Sequence, residues 1–145
     1  MKTVLKFCFV FYLLLVLQCK KDEPELVKQH PVPSVPVNLT IYPNDPLNFD
    51  IQAIGGWMYF AGGVNGIVVY RKSEQEFVAL ERTSTKNPSD PKSRAIVLSD
   101  NFTLHDTISD SKWRLMDGAV TQGPAEWPLR TYKTSYDGNL LKVIN

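Results

Sequence analysis

Cysteine and histidine are scarce in this chain of 145 residues, which contains two of each. Both cysteines, Cys8 and Cys19, lie within or at the edge of the apolar N-terminal segment, so the rest of the chain has no thiol. That part can form neither a disulfide nor a thiolate metal site. The region after residue 36 holds one histidine, His105, and a mononuclear metal site with Asp106 or Asp110 is kept only as an alternative.

An excess of charge and a membrane-length apolar run are also lacking. The chain has 16 basic and 15 acidic residues, a net charge of +1, and losing the first 18 residues removes Lys2 and Lys6 and leaves 14 against 15, or −1. Such a balance argues against binding to nucleic acid. The longest apolar run, 7–17 (FCFVFYLLLVL), is about half the length that spans a bilayer.

The N-terminus has the features of an export signal. Lys2 and Lys6 precede the short apolar run, which is typical of a cleaved signal peptide over residues 1–18. The following Val16-Leu17-Gln18-Cys19 resembles the bacterial lipobox, although Gln18 departs from the small residue usual there. The resemblance implies cleavage before Cys19 and lipidation of that cysteine, which would anchor the protein in a membrane.

Residues 19–36 are predicted to be a tether. They contain four of the ten prolines and mixed charges without helical or strand periodicity, so an extended chain with a solvated His30 is expected. Lys21-Asp22-Glu23 resembles a signal that sends some Gram-negative lipoproteins to the cell surface, and a solvated charge run is the alternative. The predicted location is therefore the outer membrane, facing the periplasm or the cell surface.

From residue 37 to 145 the pattern favours a single all-β domain, an antiparallel sandwich or small barrel. Short alternating or apolar runs are separated by turns, and no segment keeps a period of 3.6. The predicted strands are 37–42, 56–61, 66–71, 77–81, 94–98, 102–105, 112–116, 119–120, 130–136 and 140–144. The predicted core residues are Trp57, Tyr59, Ile67, Val69, Phe77, Ile96, Phe102, Leu104, Leu115, Tyr132, Leu141 and Val143.

The order of several short motifs resembles the Rieske [2Fe-2S] domain. The resemblance runs from about residue 37 to the C-terminus and implies a smaller, loop-rich subdomain at about 82–129. In that family one loop carries Cys-X-His and a second carries Cys-X-X-His. The motifs that carry the resemblance are Glu76-Phe77-Val78-Ala79-Leu80 with Arg82-Thr83-Ser84, Ser111-Lys112-Trp113, Asp117-Gly118, Gly123-Pro124-Ala125 and Pro128-Leu129.

All four ligand positions have changed in this chain. The family pattern places Ser84 and Lys86 at the first pair of ligand positions and Asp106 and Ser109 at the second. A Rieske cluster requires two thiolates and two imidazoles, and this domain has no thiol. The sequence therefore predicts a Rieske-like fold without a [2Fe-2S] cluster, and an ion pair between Lys86 and Asp106 is a hypothesis for what replaces the iron.

Three classes of function remain open at the level of sequence. The first is a membrane-tethered, non-enzymatic binding or structural module with a protein partner in the cell envelope. The second is an electron-transfer or metal-binding protein whose site has been re-ligated. The third is a hydrolase built on His105 with Asp106, Ser109 or Ser111, which is disfavoured because neighbours on a strand point to opposite faces. The prediction is a non-enzyme without metal or other cofactor.

Overall fold

A computed structural model describes residues 28–145 of the chain. The predicted signal peptide and the predicted lipidation site, Cys19, lie outside the described residues. Among the described residues, no helix is long and apolar enough to cross a bilayer. The strands are β1 (Asn38–Ile41), β2 (Trp57–Phe60), β3 (Ile67–Arg71), β4 (Phe77–Glu81), β5 (Ile96–Val97), β6 (Thr103–Asp106), β7 (Ser111–Arg114), β8 (Val120–Gln122), β9 (Thr131–Tyr136) and β10 (Leu141–Ile144).

The strands form two antiparallel sheets. The larger has the order β1-β10-β9-β4-β3-β2, and the smaller has the order β5-β6-β7-β8. The smaller sheet is inserted in the chain between β4 and β9, which pair with each other in the larger sheet. The predicted fold class, all-β and antiparallel with a smaller loop-rich subdomain, is therefore confirmed.

One short helix was not predicted. A 3₁₀ helix covers Pro46–Ile51, directly before β2. Asp45 caps it by accepting a hydrogen bond from the Leu47 backbone N–H at 2.8 Å, and Pro46 supplies the fixed backbone angle that suits a first helical position. These are local start signals for a helix, but one this short has no apolar period to detect.

Two apolar cores occupy the interior. One lies in the larger sheet and includes Ile67 and Leu141, and the other joins the two sheets around the fully buried Trp113. Most of the predicted core residues are confirmed. Ile96 and Phe102 are exceptions, at 37% and 65% exposure. Phe102 lies in a turn where its backbone N–H donates to Asp100 Oδ1 at 2.9 Å, so the alternation of the following strand does not apply to it.

The predicted tether is wrong for its last residues. Residues 30–37, here called the N-terminal strap, lie against the domain. Val32 is fully buried, and its carbonyl accepts hydrogen bonds from the Arg130 guanidinium at 2.6 and 3.2 Å. His30 is not simply solvated, because its Nε2 bonds the Pro128 carbonyl at 3.1 Å and its ring meets Trp127 edge-on at 5.6 Å.

Candidate functional site

Two loops of the smaller subdomain meet at the positions that the resemblance predicted to correspond to cluster ligands. The first follows β4 and is closed by a bridge between Thr83 and Arg94 and by a hydrogen bond from Ser84 N–H to the Ser93 carbonyl at 3.0 Å. The second is the turn between β6 and β7, which begins at Asp106. Backbone pairing thus fixes both loops independently of any bound group.

A buried carboxylate joins the two loops. Asp106 has no exposed surface, and its Oδ2 accepts hydrogen bonds from Ser93 Oγ at 2.5 Å and Ser109 Oγ at 2.6 Å. Its Oδ1 accepts a bond from the Ile108 N–H at 3.1 Å. Ser93 belongs to the first loop and Ser109 to the second, so one carboxylate holds both.

Hydrogen bonding stabilises the charged form of Asp106. Burial alone would raise the pKa of this carboxyl, but hydrogen bonds from Ser109, Ser93, Ser84 and the Ile108 N–H lower the pKa below its usual value. The group is therefore an anion at neutral pH. Its charge is met by hydroxyl and amide donors.

A third segment is tied to the same network. Ser111 is fully buried, bonds Ser109 Oγ at 3.0 Å, and accepts a hydrogen bond from the Ala125 N–H at 2.9 Å. Nearby, the Trp127 carbonyl accepts bonds from Thr85 Oγ1 at 2.8 Å and from Trp113 Nε1 at 3.1 Å. Hydroxyl groups of the subdomain therefore form hydrogen bonds both within the second loop and with the backbone of the segment after β8.

Three of the four predicted positions come together. Ser109 donates a hydrogen bond to Asp106, and the buried Ser84 helps to lower the pKa of Asp106, whereas Lys86 is exposed. The hypothesis of an ion pair between Lys86 and Asp106 is wrong, because no salt bridge joins them and the carboxylate is satisfied by other donors. Ser93 was missed, since nothing in its polar loop distinguishes it from neighbouring hydroxyl residues.

His105 lies apart from this network. It is half-buried, and its Nε2 lies 2.8 Å from Oδ1 of the exposed Asp110. Asp106 is buried and bonded to serines instead, so the expectation that the two neighbours do not pair is confirmed. Within residues 28–145, no group of three His, Cys, Asp or Glu side chains is arranged to hold a metal ion.

The donors at the two loops do not fit a Rieske cluster. Whereas the cluster requires two thiolates and two imidazoles, the loops present hydroxyls and one carboxylate. These groups also satisfy one another, and no buried side-chain nitrogen or oxygen among the described residues lacks a hydrogen-bond partner. The arrangement is that of a polar clamp between loops.

A second buried carboxylate, which the sequence did not reveal, lies at the end of β4. Glu81 has no exposed surface. Its Oε1 accepts bonds from Asn65 N–H at 3.0 Å and from the N–H and Oγ1 of Thr83 at 2.9 and 2.6 Å. Its Oε2 accepts bonds from Val64 N–H and the Tyr132 hydroxyl, both at 2.7 Å. Glu81 thus connects the β2–β3 turn, the start of the first loop and β9.

The fold and this network define an all-β protein with a polar clamp in its inserted subdomain. No protein-family model matches the chain, and no curated protein matches it. It is similar to the solved structure of the ferredoxin of carbazole 1,9a-dioxygenase from Nocardioides aromaticivorans, with 16% identity, a TM-score of 0.49, and coverage of 76% of this chain and 97% of that one. It is also similar to a Mycobacterium tuberculosis protein described as the small subunit of an NADH-dependent nitrite reductase, with 16% identity, a TM-score of 0.45, and coverage of 77% and 97%.

Proposed function

We propose that this protein is a Rieske-type domain that carries no iron–sulfur cluster and serves as a non-enzymatic binding or structural module of the bacterial cell envelope. The observation that carries the proposal is the clamp at Asp106. It occupies the junction of the two loops where the sequence pattern places the cluster ligands, and Ser84, Ser93 and Ser109 surround it. A cluster-binding pair of loops has become a hydrogen-bonded one.

Metal analysis of the purified full chain tests this proposal. We expect no stoichiometric iron and no visible absorption band, because the loops offer no thiolate to a metal. Anaerobic incubation with ferrous iron and sulfide is expected to leave both readings unchanged. About two irons per chain, or a visible band after reconstitution, would refute the absence of a cluster.

A single bound metal ion would favour the alternative, a re-ligated site. The groups to examine would then be His105 and Asp110, whose side chains already lie within hydrogen-bond distance. A His105→Ala variant that loses the metal would support this alternative, and one that keeps it would place the metal elsewhere.

The envelope location rests on the lipobox-like segment before Cys19. Acyl chains on this residue would hold the protein to a membrane, at about 0.8 kcal/mol per buried CH₂. We expect Cys19→Ser to move the protein from the membrane fraction to the soluble fraction, and Cys8→Ser, the matched control, to leave it with the membrane. Mass spectrometry of the N-terminal peptide would identify the lipid. A Cys19→Ser variant that stays with washed membranes would contradict lipidation of this cysteine.

A further inference from the structure

The edge strand β2 lacks the features that usually protect the edge of a sheet. Edge strands are commonly very short or carry lysine or proline, because their unpaired backbone groups attract other strands. The sequence of β2, Trp57–Phe60 (WMYF), has no charge and no proline. The smaller sheet ends in strands of two and three residues, and β1 directly follows the proline-containing N-terminal strap. Of the two four-residue edges of the larger sheet, β2 consists only of hydrophobic residues, whereas β1 (NLTI) includes Asn38 and Thr40.

The backbone groups of two residues in β2 face away from the sheet. β2 pairs with β3 in an antiparallel register that includes Met58 with Val69, and the Arg71 N–H donates to the Gly56 carbonyl. Because hydrogen-bonded and non-bonded pairs alternate in such a ladder, Met58 bonds β3. Trp57 and Tyr59 therefore direct their N–H and C=O groups outward, where no partner is found among residues 28–145.

A groove runs along this edge. It has a volume of about 630 Å³ and is lined by Trp57, Met58 and Tyr59 together with residues that include Asp50, Gly56 and Asn101. Consecutive side chains of a strand point to opposite faces, so a groove that touches three consecutive residues lies along the edge of the strand. The free backbone groups of Trp57 and Tyr59 along it suit a further strand.

The aromatic side chains beside the groove are held in place by the smaller subdomain. Trp57 Nε1 donates to Asn101 Oδ1 at 2.9 Å, and the Tyr59 hydroxyl accepts a bond from the Val97 N–H at 2.8 Å. The Arg82 guanidinium lies 3.6 Å from the centre of the Tyr59 ring. Fixed rings lose little conformational entropy when a ligand packs on them, which favours binding at this edge.

The groove carries a single type of charge. Asp50 is the one charged residue among those that line it, and this exposed carboxylate has no side-chain hydrogen bond or ion pair in the described part of the chain. A basic residue on the ligand would complement it.

We infer that the edge of β2 docks an extended segment of a partner protein, which adds a strand antiparallel or parallel to β2 and places a lysine or arginine beside Asp50. Strand addition of this kind obtains affinity from main-chain hydrogen bonds and specificity from alternate side chains. The inference rests on the proposed function as a binding module and names the class of its partner.

Residue-resolved amide exchange of the full chain in detergent tests the state of the edge. In the free protein, the amides of Trp57 and Tyr59 are expected to exchange rapidly and those of Met58 and Phe60 slowly. Addition of a capped peptide, Lys-Thr-Val-Thr-Val-Thr-Lys, is expected to slow the first pair at least about tenfold. A peptide whose central amides are all N-methylated cannot donate hydrogen bonds to the Trp57 and Tyr59 carbonyls. Its affinity is therefore expected to be at least about tenfold lower.

A charge exchange tests the part played by Asp50. Asp50→Lys is expected to lower the affinity for the lysine-flanked peptide about two- to fivefold and to raise the affinity for a glutamate-flanked version. Glu74→Lys makes the same change of charge at an exposed residue outside the groove, and it is expected to leave the affinities for both peptides unchanged. Equal binding of the N-methylated peptide, or no binding of either peptide, would overturn the inference.

A second copy of the chain could also occupy the edge of β2, and sedimentation distinguishes it from a partner protein. Protection of Trp57 and Tyr59 that rises with protein concentration, together with a dimer in sedimentation, would assign the edge to that second copy and overturn the inference. Iron in the purified chain would refute the proposed function, whereas exchange at β2 reports only on the edge. The two proposals therefore fail in different measurements.

Discussion

Glu81→Ala is expected to leave little folded protein. Five hydrogen bonds end on this buried carboxylate, three from backbone N–H groups and two from the hydroxyls of Thr83 and Tyr132. A buried donor that loses its acceptor costs about 1 to 3 kcal/mol, so the loss of all five acceptor contacts should cost at least about 4 kcal/mol. Domains of this size are stable by only about 5–15 kcal/mol.

The measurement is urea denaturation followed by tryptophan fluorescence, with Glu74→Ala as the matched control at an exposed position. The control should stay within about 0.5 kcal/mol of the wild type. Glu81→Gln should also destabilise the domain, because its amide places hydrogen-bond donors against the donors that surround the site. An unchanged midpoint for Glu81→Ala would show that the surrounding donors find water or other acceptors.

Asp106→Asn is expected to lower the free energy of unfolding by about 2 to 3 kcal/mol at neutral pH. Hydrogen bonds to a charged group contribute about 1.5 to 3 kcal/mol each, and Asp106 receives bonds from Ser93 and Ser109. Asparagine keeps one oxygen but presents an NH₂ group in place of the other. The loops at Ser84 and Ser109 should then exchange their amide hydrogens faster than the larger sheet.

The effect of Asp106→Asn should depend on pH in a defined direction. The pKa of Asp106 is lowered in the folded protein, so the unfolded chain binds its proton more readily. Its contribution to stability is present above the unfolded-state pKa of about 4 and is lost as the pH falls through the lower folded-state value. The difference between wild type and Asp106→Asn should therefore shrink on acidification. Glu126→Gln, at an exposed position, should show no such change.

Alternation and turn residues were sufficient to predict the strands, because each face of a half-buried sheet repeats every second residue. They fail where the chain leaves a sheet. Phe102 continues an apolar pattern into a turn and is exposed, and the 3₁₀ helix before β2 is too short to show a period. The smaller subdomain was predicted from the order of several motifs that resemble the Rieske domain. No single strand would have indicated it.

The candidate site was only partly predictable for a different reason. The resemblance brought Ser84, Asp106 and Ser109 to one place, but it contains no information on which side chains bond one another there. The partner of Asp106 from the first loop is Ser93, 13 residues away in sequence, rather than Lys86. Hydroxyl residues occur throughout that loop, and only the three-dimensional path of the chain selects one of them.

With the proposed lipid on Cys19, the N-terminal strap would shorten the distance that the domain can reach from the membrane. With residues 30–37 held against the domain, the chain between the proposed lipid on Cys19 and His30 has ten residues, Lys20 to Gln29. Whatever their conformation, they span at most about 35 Å, compared with roughly 55 to 60 Å for a tether that ran free to residue 36. His30 contacts Trp127 and Pro128, beside the clamp. The clamp end of the domain would therefore stay within about 35 Å of the proposed lipid on Cys19, and a partner that binds this end would have to come within a similar distance of the membrane.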